Sequence, residues 1–217
     1  MEENLLKVLY EDNHIIVVEK PSGIPTQEDS TGDVDMYNLV KEYIRVKYNK
    51  PGNVFVGIVH RLDRPVGGVM VFARTSKAAS RLSEQIRNRS FKKVYLAMLD
   101  GVPKKDEGRL ENYLWKDEKK NQVYVVEESH EGAKKAVLDY KVLRKEGKRT
   151  LVRVELHTGR PHQIRVQFAN IGCPLVGDGK YGKIDGKSDI MLFSHLICFQ
   201  HPTTKEEMEF RLSPEWG

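Results

Sequence analysis

The sequence predicts an α+β protein with a largely antiparallel, mixed sheet and helices on its flanks. Three observations favour this class: many short β-branched segments, polar or glycine-containing turns between consecutive segments, and three stretches with helical spacing. At 217 residues the chain is long enough to bury a substantial core, and no linker or internal repeat divides it. We therefore expect a single domain over residues 1–217.

Eleven segments have the composition of β-strands. His14–Glu19 is almost continuously apolar and β-branched, which is typical of a central strand. The other predicted strands are Leu5–Tyr10, Val54–Val59, Val69–Ala73, Lys92–Leu99, Leu110–Trp115, Gln122–Val126, Lys135–Leu143, Thr150–His157, Met191–Phe199 and Glu209–Leu212.

Three stretches predict helices. The first lies within Asp35–Lys50, the second runs from an N-cap at Ser76 to about Asn88, and the third opens at Thr158–Pro161 and is closed by Gly172. Their predicted apolar stripes are, in order, Leu39, Tyr43, Val46 and Tyr48; Ala79, Leu82 and Ile86; and Ile164, Phe168 and Ile171.

The composition is that of a folded protein with a mild positive charge. Hydrophobic residues make up 39% and charged residues 31%, and 36 Lys and Arg against 31 Asp and Glu give a net charge of +5. This charge is compatible with a polyanionic partner. Two cysteines without CxxC spacing, no signal peptide and no apolar run of membrane length predict a soluble, cytoplasmic protein that does not enter a membrane. We expect a monomer.

One loop has the residue types of a reactive site. Asp63 lies between Arg61 and Arg64 in a segment containing proline and glycine, and this segment connects two apolar strands. Loops held by a rigid sheet are favoured positions for reactive groups. An aspartate that caps a turn between two solvated arginines is the alternative, and it is the better interpretation of an isolated Arg-Leu-Asp-Arg string.

Four motifs and a last strand region, in order along the chain, resemble the RluA branch of the pseudouridine synthases. The segment from His60 to Thr75 resembles its signature, and the resemblance extends from about residue 5 to residue 212. The other matching segments are Glu19–Gly23, Lys93–Ala97, Thr158–Val166 with Gly172–Gly182, and Leu192–His195 with His201-Pro202.

The resemblance implies a pseudouridine synthase fold and an enzyme that isomerises uridine within ribosomal or transfer RNA. It implies that Asp63 is the catalytic carboxylate, acting either as a nucleophile or as a general base. It assigns Arg165 to pair with Asp63 and Tyr95 to stack on the uracil ring. Without the motifs, a surface arginine and a core tyrosine are the more common interpretations of these two residues.

The same resemblance implies RNA contacts and no cofactor. The RNA-binding candidates are Arg61, Lys20, Arg64, Arg160 and His162. The reaction neither oxidises nor hydrolyses anything, and the sequence contains no phosphate-binding glycine motif and no metal-ligand spacing. Further basic side chains that could contact phosphates, each more often a solvated charge, are Arg81, Arg87, Arg89, Lys92, Lys93, Lys134 and Lys135.

Some features depart from the family pattern. Because the first strand begins near Leu5, we expect no N-terminal S4 domain. Three positions differ from the residues that many family members have: Val66-Gly67, Gln167 and Thr26–Glu28. These differences bear on substrate choice more than on reaction type. The main alternative is a non-catalytic RNA-binding protein on the same fold; a metal-dependent nuclease would need clustered acids that the sequence lacks.

Overall fold

A computed structural model describes residues 6–29, 31–182 and 189–217. The chain forms two compact units, the first comprising Met1–Lys92 with Ser194–Pro214 and the second Lys93–Phe193 with Glu215–Gly217. The helices are α1 (Met36–Lys47), α2 (Ser76–Arg87) and α3 (Gln163–Asn170). The strands are β1 (Lys7–Glu11), β2 (Ile15–Lys20), β3 (Gly57–Ile58), β4 (Gly67–Ala73), β5 (Lys92–Asp100), β6 (Glu107–Asp117), β7 (Gln122–Val126), β8 (Lys134–Glu146), β9 (Arg149–Leu156), β10 (Leu192–Gln200) and β11 (Glu207–Arg211).

The first unit is built on the strand order β1-β2-β4-β10, with β11 beside β10 and β3 beside β4. β2 is central, as predicted, and pairs antiparallel with β1 and β4. One face of these strands packs against α2 through Ala78 and Leu82. Burial of this apolar surface is the main favourable contribution to the folding of the unit.

The second unit contains the antiparallel order β5-β9-β8-β6-β7. Val166 of α3 joins a buried cluster with Leu114 and Val123. Eleven strands and three helices in the described residues confirm the α+β class. Within those residues, no helix is long and apolar enough to cross a membrane. The prediction of one domain over residues 1–217 stays a prediction.

One predicted strand is mostly wrong. Val54–Val59 forms only the two-residue strand β3, which pairs with Phe72 and Ala73 at the end of β4. β4 already has β2 on one side and β10 on the other. Little backbone of β4 remains for β3, and this restriction depends on residues far away in the sequence.

Helix boundaries and faces also differ from the predictions. Thr75, not Ser76, caps α2, because its Oγ1 accepts from the Ala78 N–H at 3.1 Å. α1 buries Met36, Val40 and Ile44, so the predicted stripe was wrong; its Val46 is 64% exposed and Tyr48, which follows the helix, is 41% exposed.

The third helix starts later than its proline suggested. His162, in the left-handed region at φ 52°, immediately precedes α3, which places Pro161 in the preceding turn. Gly172 follows the helix at φ 78°, as predicted for a C-terminal glycine. Ile171 is 40% exposed and does not belong to the buried face.

Candidate active site

Side chains from the segment after β2 hold the Asp63 loop by its backbone. Thr26 Oγ1 donates to the Leu62 carbonyl at 2.9 Å and accepts from the Leu62 N–H at 3.2 Å. Ser22 Oγ donates to the Pro65 carbonyl at 2.8 Å. Asp63 is half-buried, and its carbonyl accepts from the Val66 N–H at 2.9 Å in a turn. The loop is therefore fixed on both sides of the carboxylate.

Lys20 lies beneath this loop with no exposed surface. Its ammonium donates to the carbonyls of Pro21 at 3.0 Å, Arg64 at 3.0 Å and Val66 at 2.7 Å. Burial lowers the pKa of Lys20 to about 7, although the charge of Asp63 opposes this shift. Because the Lys20 ammonium has no exposed surface and is already bound by three carbonyls, the structure argues against an RNA contact, and the predicted RNA-binding role of Lys20 stays a prediction. Its contacts assign it to holding the loop.

The close packing after the loop depends on Gly68. Its φ is +122°, and a Cβ at this position would overlap the backbone of Ser194 in β10. Ser194 Oγ also donates to the Val69 carbonyl at 3.0 Å. Glycine is required here by both the backbone conformation and the contact. The end of the Asp63 loop is thereby fixed to β10.

The two arginines beside Asp63 have different surroundings. Arg61 is exposed, which is compatible with an RNA contact. Arg64 donates to the Gly23 carbonyl at 3.0 Å and forms ion pairs with Asp29 and Asp33. Its charge is therefore already partly compensated, which weakens the prediction that it binds RNA.

Tyr95 lies in β5 of the second unit and is 6% exposed. It pairs with Val154 of β9. Its neighbours along β5 are buried as well, so strand alternation alone does not distinguish it from a core tyrosine. The stacking role of Tyr95 stays a prediction.

Arg165 forms a buried ion pair with Asp178. Its Nε and Nη2 donate to the two carboxylate oxygens at 2.8 and 2.7 Å, and the side chains are 8% and 0% exposed. Burial by itself raises the pKa of Asp178, but Arg165 and the N–H groups of Lys180 and Tyr181 outweigh it, and the pKa is lowered. The sequence reasoning gave Asp178 no role. An acidic residue between two glycines shortly after the arginine was the available signal.

Tyr181 connects Arg165 to the predicted RNA-binding residue His162. The Arg165 guanidinium carbon lies 5.2 Å from the centre of the Tyr181 ring. The Tyr181 hydroxyl accepts from the Val123 N–H at 2.8 Å and forms a hydrogen bond with His162 Nδ1 at 2.7 Å. His162 is thus held in place by a group that also contacts the arginine.

The loop before α3 is fixed by Gln163, a residue that the sequence reasoning did not single out. Gln163 Oε1 accepts from Thr158 Oγ1 at 2.7 Å and from the Arg160 N–H at 3.1 Å. Arg160 Nε donates to the Lys135 carbonyl at 2.9 Å. Arg160 is half-buried, and its use in RNA binding stays a prediction.

The predicted site residues are divided between the two units. Asp63, Arg61, Arg64 and Lys20 belong to the first unit. Tyr95, Arg165, Arg160 and His162 belong to the second. The predicted pairing of Arg165 with Asp63 stays a prediction. In the part of the chain that the structure describes, no group of three His, Cys, Asp or Glu side chains could hold a metal ion.

Comparison of the sequence with known proteins identifies one family. A sequence model described as RNA pseudouridylate synthase matches residues 14–170. An uncharacterized RNA pseudouridine synthase of Aquifex aeolicus (strain VF5) is 35% identical over 227 aligned residues, covering 97% of this chain and 70% of the relative. The dual-specificity RNA pseudouridine synthase RluA of Yersinia pestis is 33% identical over 219 residues, covering 96% of this chain and 99% of the relative.

Other relatives are longer than this chain. The ribosomal large subunit pseudouridine synthase D of Borreliella burgdorferi is 30% identical over 201 residues, and the match covers 88% of this chain and 60% of the relative. Among solved structures, human RNA pseudouridylate synthase domain containing 4 aligns with a TM-score of 0.80 at 22% identity. That alignment covers 97% of this chain and 89% of the human chain, which confirms the predicted fold.

Proposed function

This chain belongs to the RNA pseudouridylate synthase family and is an isomerase that acts on RNA, and we propose that Asp63 is its catalytic residue. The observation that carries this proposal is the way the Asp63 loop is held. Thr26 fixes the residue before Asp63, and Lys20 fixes the two carbonyls of Arg64 and Val66 after it. Such preorganisation is what a group needs in order to meet a reacting atom at a fixed distance.

The reaction defines what this carboxylate has to do. The N1–C1′ bond of uridine breaks, the base turns, and a C5–C1′ bond forms while the proton on C5 is lost. Ionised Asp63 either adds to the sugar or the base as a nucleophile, or removes a sugar proton as a general base. Both routes need the carboxylate of Asp63 in its ionised form. The positive charge of Lys20 interacts favourably with that ionised carboxylate.

The proposal extends to residues of the second unit. Tyr95 stacks against the uracil ring, and Arg165 provides a positive charge for the Asp63 carboxylate. The pairing of Arg165 with Asp178 supports the second role because it fixes the orientation of the guanidinium. Arg61, Arg160 and His162 contact the RNA around a uridine that has left its stack.

We propose ribosomal or transfer RNA as the substrate. The Borreliella relative is named as a ribosomal large subunit enzyme and the Yersinia relative as a dual-specificity enzyme, and the net charge of +5 favours a polyanion. We further propose that the protein works in the cytoplasm as a monomer, without a cofactor. Its mass in solution by light scattering and its activity in EDTA on an RNA that folds without divalent ions check the last two points.

The experiment that tests the assignment is tritium release from RNA labelled at uridine C5. We expect Asp63→Ala to reduce release at least about 1,000-fold while RNA binding is retained, because the reacting group is lost and the phosphate contacts are not. Asp100→Asn, at an exposed position at the end of β5, is the matched control and should be as active as the unaltered protein.

Two results would contradict the proposal. Undiminished release by Asp63→Ala would remove Asp63 from the chemistry. Binding of RNA by the unaltered protein without any tritium release or pseudouridine, tested on total RNA lacking the modification, would favour the non-catalytic alternative.

A further inference from the structure

Lys93 is a buried lysine whose ammonium has no polar partner among the residues that the structure describes. It is the second residue of β5 and is 9% exposed. Within residues 6–29, 31–182 and 189–217 its ammonium has no hydrogen-bond or ion-pair partner. Burial lowers its pKa, and no carboxylate in the described part of the chain opposes the shift. Lys20, the other buried lysine in the described residues, differs because three carbonyls surround its ammonium.

The Lys93 ammonium lies directly beneath an exposed stretch of backbone. A Cβ built on Gly159 would come within 3.2 Å of Lys93 Nζ. Gly159 itself is exposed and precedes Arg160. The ammonium is not among the buried polar atoms that are sealed from solvent without a partner, so the charged end of the side chain can be reached. Glycine at position 159 leaves the space through which a ligand can reach it.

Strand geometry relates Lys93 to Tyr95. Side chains at positions i and i+2 of a strand point to the same face and are about 7 Å apart. Lys93 therefore stands on the same face of β5 as Tyr95. A single nucleotide can span this separation with its base at one end and its phosphate at the other.

An unpaired buried charge raises the free energy of the folded protein unless a ligand compensates it. Transfer of an ammonium out of water costs several kcal/mol, and removal of the partner of a buried charge is strongly destabilising. An anion bound by Lys93 would offset this cost. RNA carries a phosphate at every nucleotide, and charge-assisted hydrogen bonds to phosphate are among the stronger polar contacts.

We propose that the Lys93 ammonium, reached beside Gly159, binds a backbone phosphate of the RNA next to the uridine that stacks on Tyr95. This inference rests on the proposed function, which supplies both the RNA and the role of Tyr95. It distinguishes Lys93 from the exposed lysines of the chain, because its charge is already desolvated and fixed in position before the RNA arrives.

The test is the binding of a twelve-residue oligouridylate by fluorescence anisotropy at several salt concentrations. Lys93→Met should bind about tenfold more weakly at 0.1 M salt, and the slope of log affinity against log salt should fall by about 0.7, as for one lost phosphate contact on single-stranded RNA. Its thermal unfolding midpoint should hold or rise, because an unpaired buried charge is removed.

Lys148→Met is the matched control. It removes the same formal charge from an exposed position next to Arg149, which pairs with Asp100 at the opposite end of β5. Its affinity and slope should equal those of the unaltered protein. Unaltered affinity and slope in Lys93→Met, or an equal loss in Lys148→Met, would overturn the proposal.

A second variant leaves the net charge unchanged. Gly159→Ala should weaken oligouridylate binding by about threefold or more, because the added Cβ crowds the ammonium. If Lys93→Met does not fold, this variant decides: weaker binding supports the phosphate site and unaltered binding overturns it.

Failure of the inference and failure of the proposed function give different results. If the unaltered protein forms pseudouridine and Lys93→Met binds RNA normally, the phosphate site is contradicted and the proposed function stands. If Lys93→Met binds RNA more weakly but the unaltered protein forms no pseudouridine, the proposed function is contradicted and the phosphate site stands.

Discussion

The two compact units hold their proposed functional charges in different ways. In the first unit, Asp63 lies in an irregular loop whose backbone is bound by the buried ammonium of Lys20. In the second, Arg165 lies in α3 and its side chain is bound by the buried carboxylate of Asp178. A loop has no internal hydrogen-bond pattern, so its carbonyls need external donors. A helix satisfies its own backbone, so the buried partner acts on the side chain instead.

The difference in partner predicts a difference in dependence on charge. Lys20 is surrounded by neutral carbonyls, whereas Asp178 faces a full positive charge. Removal of Asp178 takes a bidentate carboxylate partner away from a buried guanidinium. Removal of Lys20 leaves neutral acceptors, which water can partly satisfy.

The largest expected effect is therefore that of Asp178→Ala. It should reduce the free energy of unfolding by about 3–5 kcal/mol, measured by urea denaturation at pH 7, because Arg165 stays buried. Asp106→Ala in the same unit is the control; its pair with Lys145 is exposed, and its loss should cost less than about 1 kcal/mol. Equal costs for the two variants would show that burial of the Arg165 pair has no energetic consequence.

The next effect is that of Lys20→Met, which should cost about 1–3 kcal/mol in the same measurement because three carbonyls lose their donor. Removal of a buried charge offsets part of this cost. The rate of pseudouridine formation should fall by more than the loss of folded protein explains, because the Asp63 loop loses the ammonium that binds its carbonyls. Arg45→Met, which breaks an exposed pair with Glu42 in α1, should leave both nearly unchanged. An active Lys20→Met enzyme would argue against the assigned role of Lys20.

The same variant tests the pH dependence of the first unit. The folded-state pKa of Lys20 is about 7 and its ordinary value is 10.5, so between these pH values the unfolded chain binds the extra proton. The contribution of Lys20 to stability therefore rises with pH over this range. The difference in unfolding free energy between the unaltered protein and Lys20→Met should grow from pH 7 to pH 10. A constant difference would contradict the lowered pKa.

The smallest effect compares two buried glutamines, one in each unit. Gln85 in α2 donates to the Gln200 carbonyl at 2.8 Å and accepts from its N–H at 2.9 Å. Gln167 in α3 donates to Asn112 Oδ1 at 2.8 Å and to the Leu110 carbonyl at 3.2 Å, while its Oε1 has no partner in the described residues. Gln85→Leu should cost about 1–2 kcal/mol and Gln167→Leu less than about 1 kcal/mol, because the latter also removes an unsatisfied oxygen. The reverse order in urea denaturation would contradict this comparison.

Local patterns were sufficient to predict most of the strands. Gln122–Val126 was predicted with the bounds that β7 has, because alternation and the flanking turns are properties of adjacent residues. The segment around Asp63 was predicted as a loop for the same reason. The apolar stripe of α1 was wrong because several apolar residues allow more than one helical face, and tertiary packing chose Met36, Val40 and Ile44.

Features that depend on distant residues could not be predicted. The short β3 results from the pairing of β4 with both β2 and β10. Lysine is rarely buried, so composition alone favoured an exposed Lys20 and gave no sign of the three carbonyls around it. The pairing of Arg165 with Asp178 was missed because Asp178 lies outside α3, and sequence spacing carries no information about such contacts.

The fit of Gly68 against Ser194 has a consequence for the order in which the protein is made. Val69 and the loop before it reach their final positions against a strand that the ribosome adds 125 residues later. In a nascent chain that ends before β10, β4 lacks one of its neighbouring strands. Gly68 then lacks the Ser194 backbone against which it packs. The Asp63 loop is encoded early, but it reaches its final packing only after β10 has been translated.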